Sequence, residues 1–137
     1  MQSLEGKVVV ITGASRGIGA ALARHFADEN TKLVLCSRKK TDIDKTACAL
    51  NLPKENVLAL AIDVSTPAGM TKLARAAYKK FGRVDLFINN AGVWNKKLLT
   101  QATVKEFDWM ISTNLAAVFY SFKELLPRMK KQGGGQI

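Results

Sequence analysis

Four short runs of apolar residues alternate along the chain with longer stretches in which apolar residues recur every three or four positions. This alternation predicts β-α-β units, in which each buried strand is followed by a helix and the strands form a parallel sheet. The predicted strands cover residues 8–11, 33–36, 57–61 and 86–88. Since no internal repeat, low-complexity segment or linker interrupts the pattern, we expect one domain over residues 1–137.

Three residue pairs have the spacing that is typical of helix N-termini. Thr is a good cap, Pro suits the first helical position, and an acidic residue three positions after the cap completes a capping box. The pairs are Thr41 with Asp44, Thr66 with Pro67, and Thr103 with Glu106. The last pair begins the longest predicted helix, in which Pro127 is expected to kink or tighten the final turn. Its apolar stripe consists of Phe107, Ile111, Leu115, Val118, Phe122, Leu125 and Met129.

Right-handed crossovers, with a switch after the third strand, give the strand order 3-2-1-4 in a doubly wound parallel sheet. The carboxyl ends of the strands then meet at one edge, where a ligand is expected to bind. A glycine-rich turn, Arg38, Asp63 and Asn90 each follow one of the strands. After a glycine turn at residues 133–135, Gln136 and Ile137 have the pattern of an opening fifth strand. We therefore expect a sheet that is incomplete at its C-terminal side.

Net charge and cysteine usage narrow the class of protein. The net charge is +10, from 21 basic and 11 acidic residues, but the basic residues are dispersed and not interleaved with aromatic ones. This favours a solvated basic surface over a nucleic-acid groove, which stays as a weaker alternative. No apolar run approaches the ~18 residues of a membrane span. Cys36 and Cys48 form no CxxC pair and are expected to be reduced core thiols, which, with no signal peptide, predicts a cytoplasmic protein.

Residues 12–19, Thr-Gly-Ala-Ser-Arg-Gly-Ile-Gly, lie between the first predicted strand and the first helix. The N-terminus of a helix offers unpaired N–H groups and partial positive charge to an anion, and glycine lets backbone approach a pyrophosphate. The spacing of Gly13, Gly17 and Gly19 is neither the GxGxxG fingerprint nor a P-loop. The turn predicts a phosphate cradle, the alternative being a helix start that is merely rich in small residues.

Further motifs follow this turn in order: Asp63-Val64, then residues 89–92 with the sequence Asn-Asn-Ala-Gly, and then Asn114 in the long helix. Together they resemble the N-terminal part of the short-chain dehydrogenases/reductases, Rossmann-type oxidoreductases that use NAD or NADP. The resemblance covers essentially all 137 residues. It implies that this chain is the cofactor-binding half of a longer single-domain enzyme that acts on a small carbonyl or alcohol substrate.

The resemblance also implies a set of cofactor contacts. Asp63 would accept a hydrogen bond from the adenine amino group, although an Asp at a strand end can also cap the following turn. Asn89 would be mainly structural, and Trp94 would overhang the nicotinamide or the substrate. The cofactor-binding residues at the glycine turn and after the third and fourth strands would be Gly13, Ser15, Arg16, Gly17, Ile18, Gly19, Asp63, Val64, Asn90, Ala91 and Gly92.

The end of the second predicted strand indicates which dinucleotide is bound. An acidic residue at this position would bind the ribose 2′-hydroxyl of NAD, but residues 36–40 have the sequence Cys-Ser-Arg-Lys-Lys. A guanidinium at Arg38 can hold a 2′-phosphate bidentately, with a hydrogen bond from Ser37, and Arg16 is placed to reach the same phosphate. We expect NADP(H) rather than NAD(H). The alternative is that Arg38 belongs to a solvated loop.

Catalysis in the family uses a Ser, a Tyr-x-x-x-Lys motif and an Asn that holds a water in the proton relay. Asn114 matches that Asn; its alternative is a buried Asn that bonds only backbone. Tyr78 and Tyr120 are each followed, four residues on, by a residue other than Lys. The chain is therefore expected to be catalytically incomplete by itself. A non-catalytic dinucleotide-binding or interaction module, truncated in nature, is the competing hypothesis.

Two further expectations concern metals and partners. The single histidine, His25, lies on the first predicted helix away from the strand ends, so no metal site is expected. Trp109 is expected to pack on the long helix. In the family that helix contributes to a dimer interface, often within a tetramer, so the resemblance implies a homo-oligomer.

Overall fold

The computed structural model describes residues 3–137 and has, within them, one four-stranded parallel sheet with the order β3-β2-β1-β4. This confirms the predicted doubly wound arrangement, which is open rather than closed. The strands are β1 (Val8–Thr12), β2 (Lys32–Ser37), β3 (Val57–Ala61) and β4 (Leu86–Ile88). The helices are α1 (Gly17–Asp28), α2 (Lys40–Cys48), α3 (Pro67–Phe81), α4 (Val104–Ile111) and α5 (Ala117–Lys131).

The sheet is covered on both faces, which explains why its strands are continuous apolar runs. In β1, Val10 pairs in register with Val34 of β2 and Phe87 of β4, and all three pack with residues of α3 and α5. The alternate residues Val9 and Ile11 point to the opposite face, where they pack with residues of α1 and α2. Helices on both faces leave the carboxyl edge of the sheet as the place for a site.

Two of the three predicted helix caps are present. Thr66 accepts a hydrogen bond from the Gly69 amide, with Pro67 at the first helical position, and Thr103 forms a full capping box with Glu106. The capping box predicted at Thr41 is wrong. Helix α2 begins at Lys40, two residues earlier than a cap at Thr41 predicts, so Thr41 already lies inside the first turn and Asp44 instead pairs with Lys40.

The long predicted helix is observed as α4 and α5, joined by a π-helical turn over Ser112–Ala116. A π-helical turn contains more residues than an α-helical one, so it shifts the faces of the two helices relative to each other. The predicted stripe is divided as a result. Leu125 and Met129 are buried in the core, whereas Phe107, Leu115 and Phe122 are exposed together with other large apolar side chains of α4 and α5.

The last residues of the chain extend the sheet beyond β4. Gln136 forms a parallel bridge with Leu86, in which the Gln136 amide donates to the Asp85 carbonyl and the Phe87 amide donates to the Gln136 carbonyl. This agrees with the predicted opening of a fifth strand. Gln132 holds the preceding turn, since its side-chain amide nitrogen donates to the carbonyls of Val84 and Gly134.

The two cysteines differ in their surroundings. Cys36 is buried in β2, and burial raises the pKa of its thiol to about 12. Cys48 is exposed, so the expectation of a core thiol is correct for Cys36 and wrong for Cys48. Helix α2 packs against the sheet through the face that carries Ile43 and Thr46, and Cys48 does not lie on that face. Within residues 3–137, none of the helices combines the length and the apolar character needed to cross a membrane.

Candidate functional site

The glycine-rich turn is fixed by close contact with the loop after β4. Gly13 has a φ of +65°, and a Cβ at this position would lie 2.8 Å from the Cα of Ala91. Gly19 is buried in the first turn of α1, where a Cβ would lie 2.5 Å from the side-chain nitrogen of Asn90. Only glycine allows both approaches. The amino end of α1 therefore opens directly onto the carboxyl ends of β1 and β4.

Hydrogen bonds hold the same two loops together. The Thr12 hydroxyl accepts from the amides of Asn90 and Ala91, both at 3.0 Å, and donates to the Ile88 carbonyl at 3.2 Å. The Asn90 side chain donates to the carbonyls of Thr12 and Gly13, at 2.8 and 3.2 Å. Asn89 turns the other way and donates to the Ser121 hydroxyl of α5 at 2.9 Å, which fits its expected structural role. The amide nitrogens of both asparagines are thus engaged within the protein.

A cleft of about 930 Å³ lies at this edge of the sheet. It brings together all the predicted cofactor-binding residues except Gly19, whose contacts are with the protein itself, and it includes Trp94 as well. Five further lining residues carry no motif of their own and were missed because each is a neighbour of a motif in sequence or space. They are Cys36, Lys39, Ile62, Val93 and Thr113. Asp42, on the first turn of α2, also lines the cleft and was missed.

One end of the cleft carries three cations, Arg16, Arg38 and Lys39, and we call it the cationic end. The ion pairs found within residues 3–137 are Lys40–Asp44, Arg83–Asp85 and Lys97–Glu106, so none of these three cations has a carboxylate within 4.0 Å. The Thr46 hydroxyl of α2 donates to the Ser15 carbonyl, which keeps the turn that carries Arg16 next to the elements that carry Arg38. The cationic end can therefore receive an anion. Two acidic residues, Asp42 on α2 and Asp63 after β3, line the same cleft in the described chain.

An aromatic ring faces one of these cations from α4. The Arg38 guanidinium carbon lies 5.7 Å from the centre of the Trp109 ring. We expected Trp109 to pack on the long helix, but its side chain is 37% exposed and its ring is turned toward Arg38. The periodicity of α4 could not reveal this contact, because the partner, Arg38, follows β2 and is far from α4 in the sequence.

Asp63 and Val64 line the cleft after β3. One carboxylate oxygen of Asp63 accepts hydrogen bonds from the Ser65 amide at 3.0 Å and from the Ser65 hydroxyl at 2.7 Å. This is the turn-capping role given as the alternative for Asp63. The second oxygen has no hydrogen bond to residues 3–137, so the same side chain can also face a ligand.

Asn114 lies in the π-helical turn, a feature that occurs often at functional sites. Its side-chain oxygen accepts from the Val93 amide at 2.8 Å and its nitrogen donates to the Val93 carbonyl at 2.7 Å. Asn114 is exposed rather than buried, and it does not itself line the cleft. In the structure it fastens the loop after β4 to the helix. We call residues 90–94, together with Asn114, the β4 end of the cleft.

Neither tyrosine lines the cleft. The Tyr78 hydroxyl donates to the Gln132 side chain at 2.9 Å, and burial raises the pKa of Tyr78. Tyr120 is half-buried against the core on the α3 and α5 side. Among residues 3–137, no three His, Cys, Asp or Glu side chains are grouped so that they could hold a metal ion.

Residues 7–137 match the family model of the short chain dehydrogenases. The chain belongs to the short-chain dehydrogenase/reductase family. An uncharacterised oxidoreductase of Staphylococcus haemolyticus is 34% identical over 137 residues, which are the whole of this chain and 58% of the relative. The chain spans 55–59% of the length of the first three curated relatives that it matches.

Two solved structures of short-chain dehydrogenases/reductases share this fold. The 3-ketoacyl-(acyl-carrier-protein) reductase of Brucella melitensis, complexed with NADH, has a TM-score of 0.89 and 36% identity over 96% of this chain and 53% of its own. A short-chain dehydrogenase/reductase of Burkholderia phymatum, in complex with NAD, has a TM-score of 0.90 and 34% identity over 96% of this chain and 47% of its own. Both of these solved structures contain a nicotinamide dinucleotide.

Proposed function

We propose that this chain forms the cofactor-binding half of an oxidoreductase that transfers hydride between NADP(H) and a small carbonyl or alcohol substrate. One observation carries the proposal: Arg16 and Arg38 lie together at the cationic end of the cleft, without a carboxylate partner. NAD and NADP differ by the 2′-phosphate of the adenosine ribose. Guanidinium groups that are free of protein carboxylates favour the dinucleotide that carries the extra phosphate.

The proposed assignment of residues follows the cleft from end to end. The pyrophosphate would lie at the amino end of α1, over the turn that contains Gly13, Ser15, Gly17 and Ile18, where backbone N–H groups are unpaired. Adenine would lie beside Asp63 and Val64, with the 2′-phosphate between Arg16, Arg38 and Ser37. Ala91 and Gly92 would border the nicotinamide ribose, with Asn90 behind them and Trp94 above. Gly19 would support the turn by its packing rather than contact the cofactor.

Two observations oppose the choice of NADP(H) and have to be weighed. The two solved structures described above contain NADH and NAD. In this chain Asp42 also lines the cationic end, and a carboxylate there repels a phosphate. Three cations against the two carboxylates of Asp42 and Asp63 leave a net positive charge in the cleft, so the balance favours NADP(H). The strength of the preference is set by how far Asp42 lies from the bound phosphate.

The cofactor would supply the hydride, and the residues of this chain would bind and orient it. By fastening Val93, Asn114 would fix the floor under the reacting carbon and hold its own amide near the proton relay. Neither Tyr78 nor Tyr120 has a Lys four residues later, so no Tyr-x-x-x-Lys acid is available within these 137 residues. Loss of a positioned acid costs about 10²–10⁴ in rate, so the chain alone should bind cofactor with little turnover.

The exposed apolar side chains of α4 and α5 support a homo-oligomer, in which a second copy would cover Phe107, Leu115 and Phe119. A dimer or tetramer and a cytoplasmic location both remain predictions. The second candidate function is a non-catalytic dinucleotide-binding module, favoured by the absence of the tyrosine motif from these residues. Cofactor-dependent turnover by the complete gene product would separate the two candidates, since the module would bind dinucleotide without oxidising or reducing anything.

The test of cofactor choice is calorimetric titration of the chain with NADPH and with NADH. We expect tighter binding of NADPH, and we expect Arg38→Asp to weaken NADPH binding by about 10–100-fold while changing NADH binding much less. Lys45→Asp is the matched control, because it makes the same charge change on α2 at an exposed position outside the cleft. Equal dissociation constants for the two cofactors in the unmodified chain would contradict the proposal.

A further inference from the structure

The contact between Trp109 and Arg38 joins two parts of the chain that the fold does not otherwise require to meet. Arg38 follows β2 at the cationic end of the cleft, and Trp109 lies on α4, outside the residues that line the cleft. The guanidinium carbon is 5.7 Å from the ring centre, within the range of a cation–π interaction. Among residues 3–137, the Arg38 side chain has neither an ion pair nor a hydrogen bond, so this ring is its one specific protein contact at that end.

An exposed arginine loses rotamer freedom when it binds a phosphate, and that loss weakens binding. A ring that already holds the guanidinium near its bound position reduces the loss. An aromatic face attracts the cation without accepting a conventional hydrogen bond, so the five N–H donors remain available for the oxygens of a phosphate. The contact therefore orients Arg38 without using the groups that would bind a ligand.

The position of Trp109 in the helix connects this contact to the rest of the cleft. Thr113, four residues later, lines the cleft, and Asn114 next to it holds Val93 at the β4 end. The capping box between Thr103 and Glu106 fixes the beginning of the same helix. One helical segment thus sets the Arg38 contact at one end of the cleft and the Val93 contact at the other.

We propose that Trp109 is a positioning residue for cofactor specificity, which holds the Arg38 guanidinium at the cationic end of the cleft so that it can bind the 2′-phosphate of NADP(H). This inference rests on the proposed function, since it presupposes that Arg38 selects the phosphorylated dinucleotide. It goes further by assigning part of the selectivity to a side chain that touches neither cofactor nor substrate.

The first test compares dissociation constants for NADPH and NADH in the unmodified chain, Trp109→Leu and Trp109→Phe. Trp109→Leu should weaken NADPH binding by about two- to fivefold, the value of an exposed cation–π contact, and change NADH binding little. The NADPH affinity of Trp109→Phe should lie between those of the unmodified chain and Trp109→Leu, because a smaller ring attracts the cation less. The control is Phe107→Leu, an aromatic loss at an exposed position of the same helix, which should change neither constant.

A double-mutant cycle distinguishes positioning from a general effect on the fold. In an Arg38→Ala background, Trp109→Leu should have no further effect on NADPH binding, since the group that the ring positions is gone. An equal loss for NADPH and NADH, or the same loss with and without Arg38, would overturn the positioning role. If the unmodified chain binds the two cofactors equally, it is the proposed function that fails. If the chain prefers NADPH and Trp109→Leu keeps the whole preference, the positioning role fails and the proposed function stands.

Fluorescence supplies an independent measurement. The chain has two tryptophans, so in a Trp94→Phe background the emission comes from Trp109. Adenosine 2′,5′-bisphosphate should leave that emission close to the emission of the 5′-AMP complex, because the ring already holds Arg38 near its bound position. A large emission change with the bisphosphate alone, with binding of both ligands verified by calorimetry, would show that Arg38 leaves the ring to bind phosphate and would overturn the proposal.

Discussion

The two ends of the cleft are built in opposite ways. At the β4 end, the polar groups of Thr12, Asn90 and Asn114 all bond to backbone of the neighbouring loop. At the cationic end, Arg16 and Arg38 have no carboxylate partner in the described chain. The β4 end is therefore a rigid floor whose hydrogen bonds are already made. The cationic end keeps its charge for a ligand.

Under the proposed function, this difference separates two tasks of a dinucleotide site. Positioning a reacting carbon needs fixed backbone, and internally bonded amides provide it without charge. Choosing between two cofactors that differ by one phosphate needs charge that is not already neutralised. Mutations at the β4 end should accordingly weaken the binding of NADPH and of NADH by the same factor. Mutations at the cationic end should change the ratio of the two dissociation constants.

The largest expected effect comes from Gly13, which lies against the loop after β4. Gly13→Ala introduces a Cβ 2.8 Å from the Cα of Ala91 at a φ of +65°, so it combines backbone strain with a clash. We expect binding of NADPH and NADH to fall by about tenfold or more, because the turn must move. Gly82→Ala is the control: its φ is +77°, but nothing lies within 4 Å of the new Cβ. It should lower stability by about 1 kcal/mol and leave both affinities unchanged.

The next effect tests the floor of the β4 end. Thr12→Val keeps the shape of the side chain but leaves the Ala91 amide without its acceptor, while the Asn90 amide keeps its bond to the Ile88 carbonyl. The free energy of unfolding, measured in urea, should fall by about 1–3 kcal/mol. Thr41→Val, at an exposed position, should change that free energy hardly at all. Both cofactors should bind more weakly by the same factor in Thr12→Val, and a changed NADPH to NADH ratio would break the proposed division between the ends.

The smallest expected effect concerns Asp42 and the NADPH affinity of the cationic end. Asp42→Asn removes one of the carboxylates that oppose the three cations, so NADPH should bind about two- to threefold more tightly. NADH should bind as before, because it lacks the 2′-phosphate. Glu55→Gln, an exposed neutralisation outside the cleft, is the control for net charge. Weaker NADPH binding in Asp42→Asn would mean that Asp42 orients the site instead of opposing it.

The strands, their order and most of the lining residues could be predicted, since they depend on local patterns. A strand buried on both faces must be apolar along its whole length, as Val8 to Ile11 are. Parallel strands with right-handed connections then force the motifs to one edge. The glycine turn could be placed because its neighbours in sequence are a strand and a helix.

The contacts that escaped prediction are those made between distant residues. The hydrogen bond between Asn114 and Val93 depends on a π-helical turn, which the residue pattern does not predict. The same turn divides the apolar stripe of the long helix. Trp109 was assigned to helix packing because periodicity says which face a residue occupies and not which loop lies opposite. The cap predicted at Thr41 is wrong by two residues, because α2 begins at Lys40 with Lys39 in the cap position.

The central claim is that unpaired cations of this chain hold the 2′-phosphate of NADP, and phosphorus NMR tests it directly. The resonance of the 2′-phosphate should be followed from acid to neutral pH in NADP⁺ bound to the chain. Free phosphate monoesters lose their second proton near a pKa of about 6, and neighbouring cations lower that pKa. The account predicts a bound phosphate that stays dianionic well below pH 6. A bound phosphate that titrates as in free NADP⁺ would contradict it.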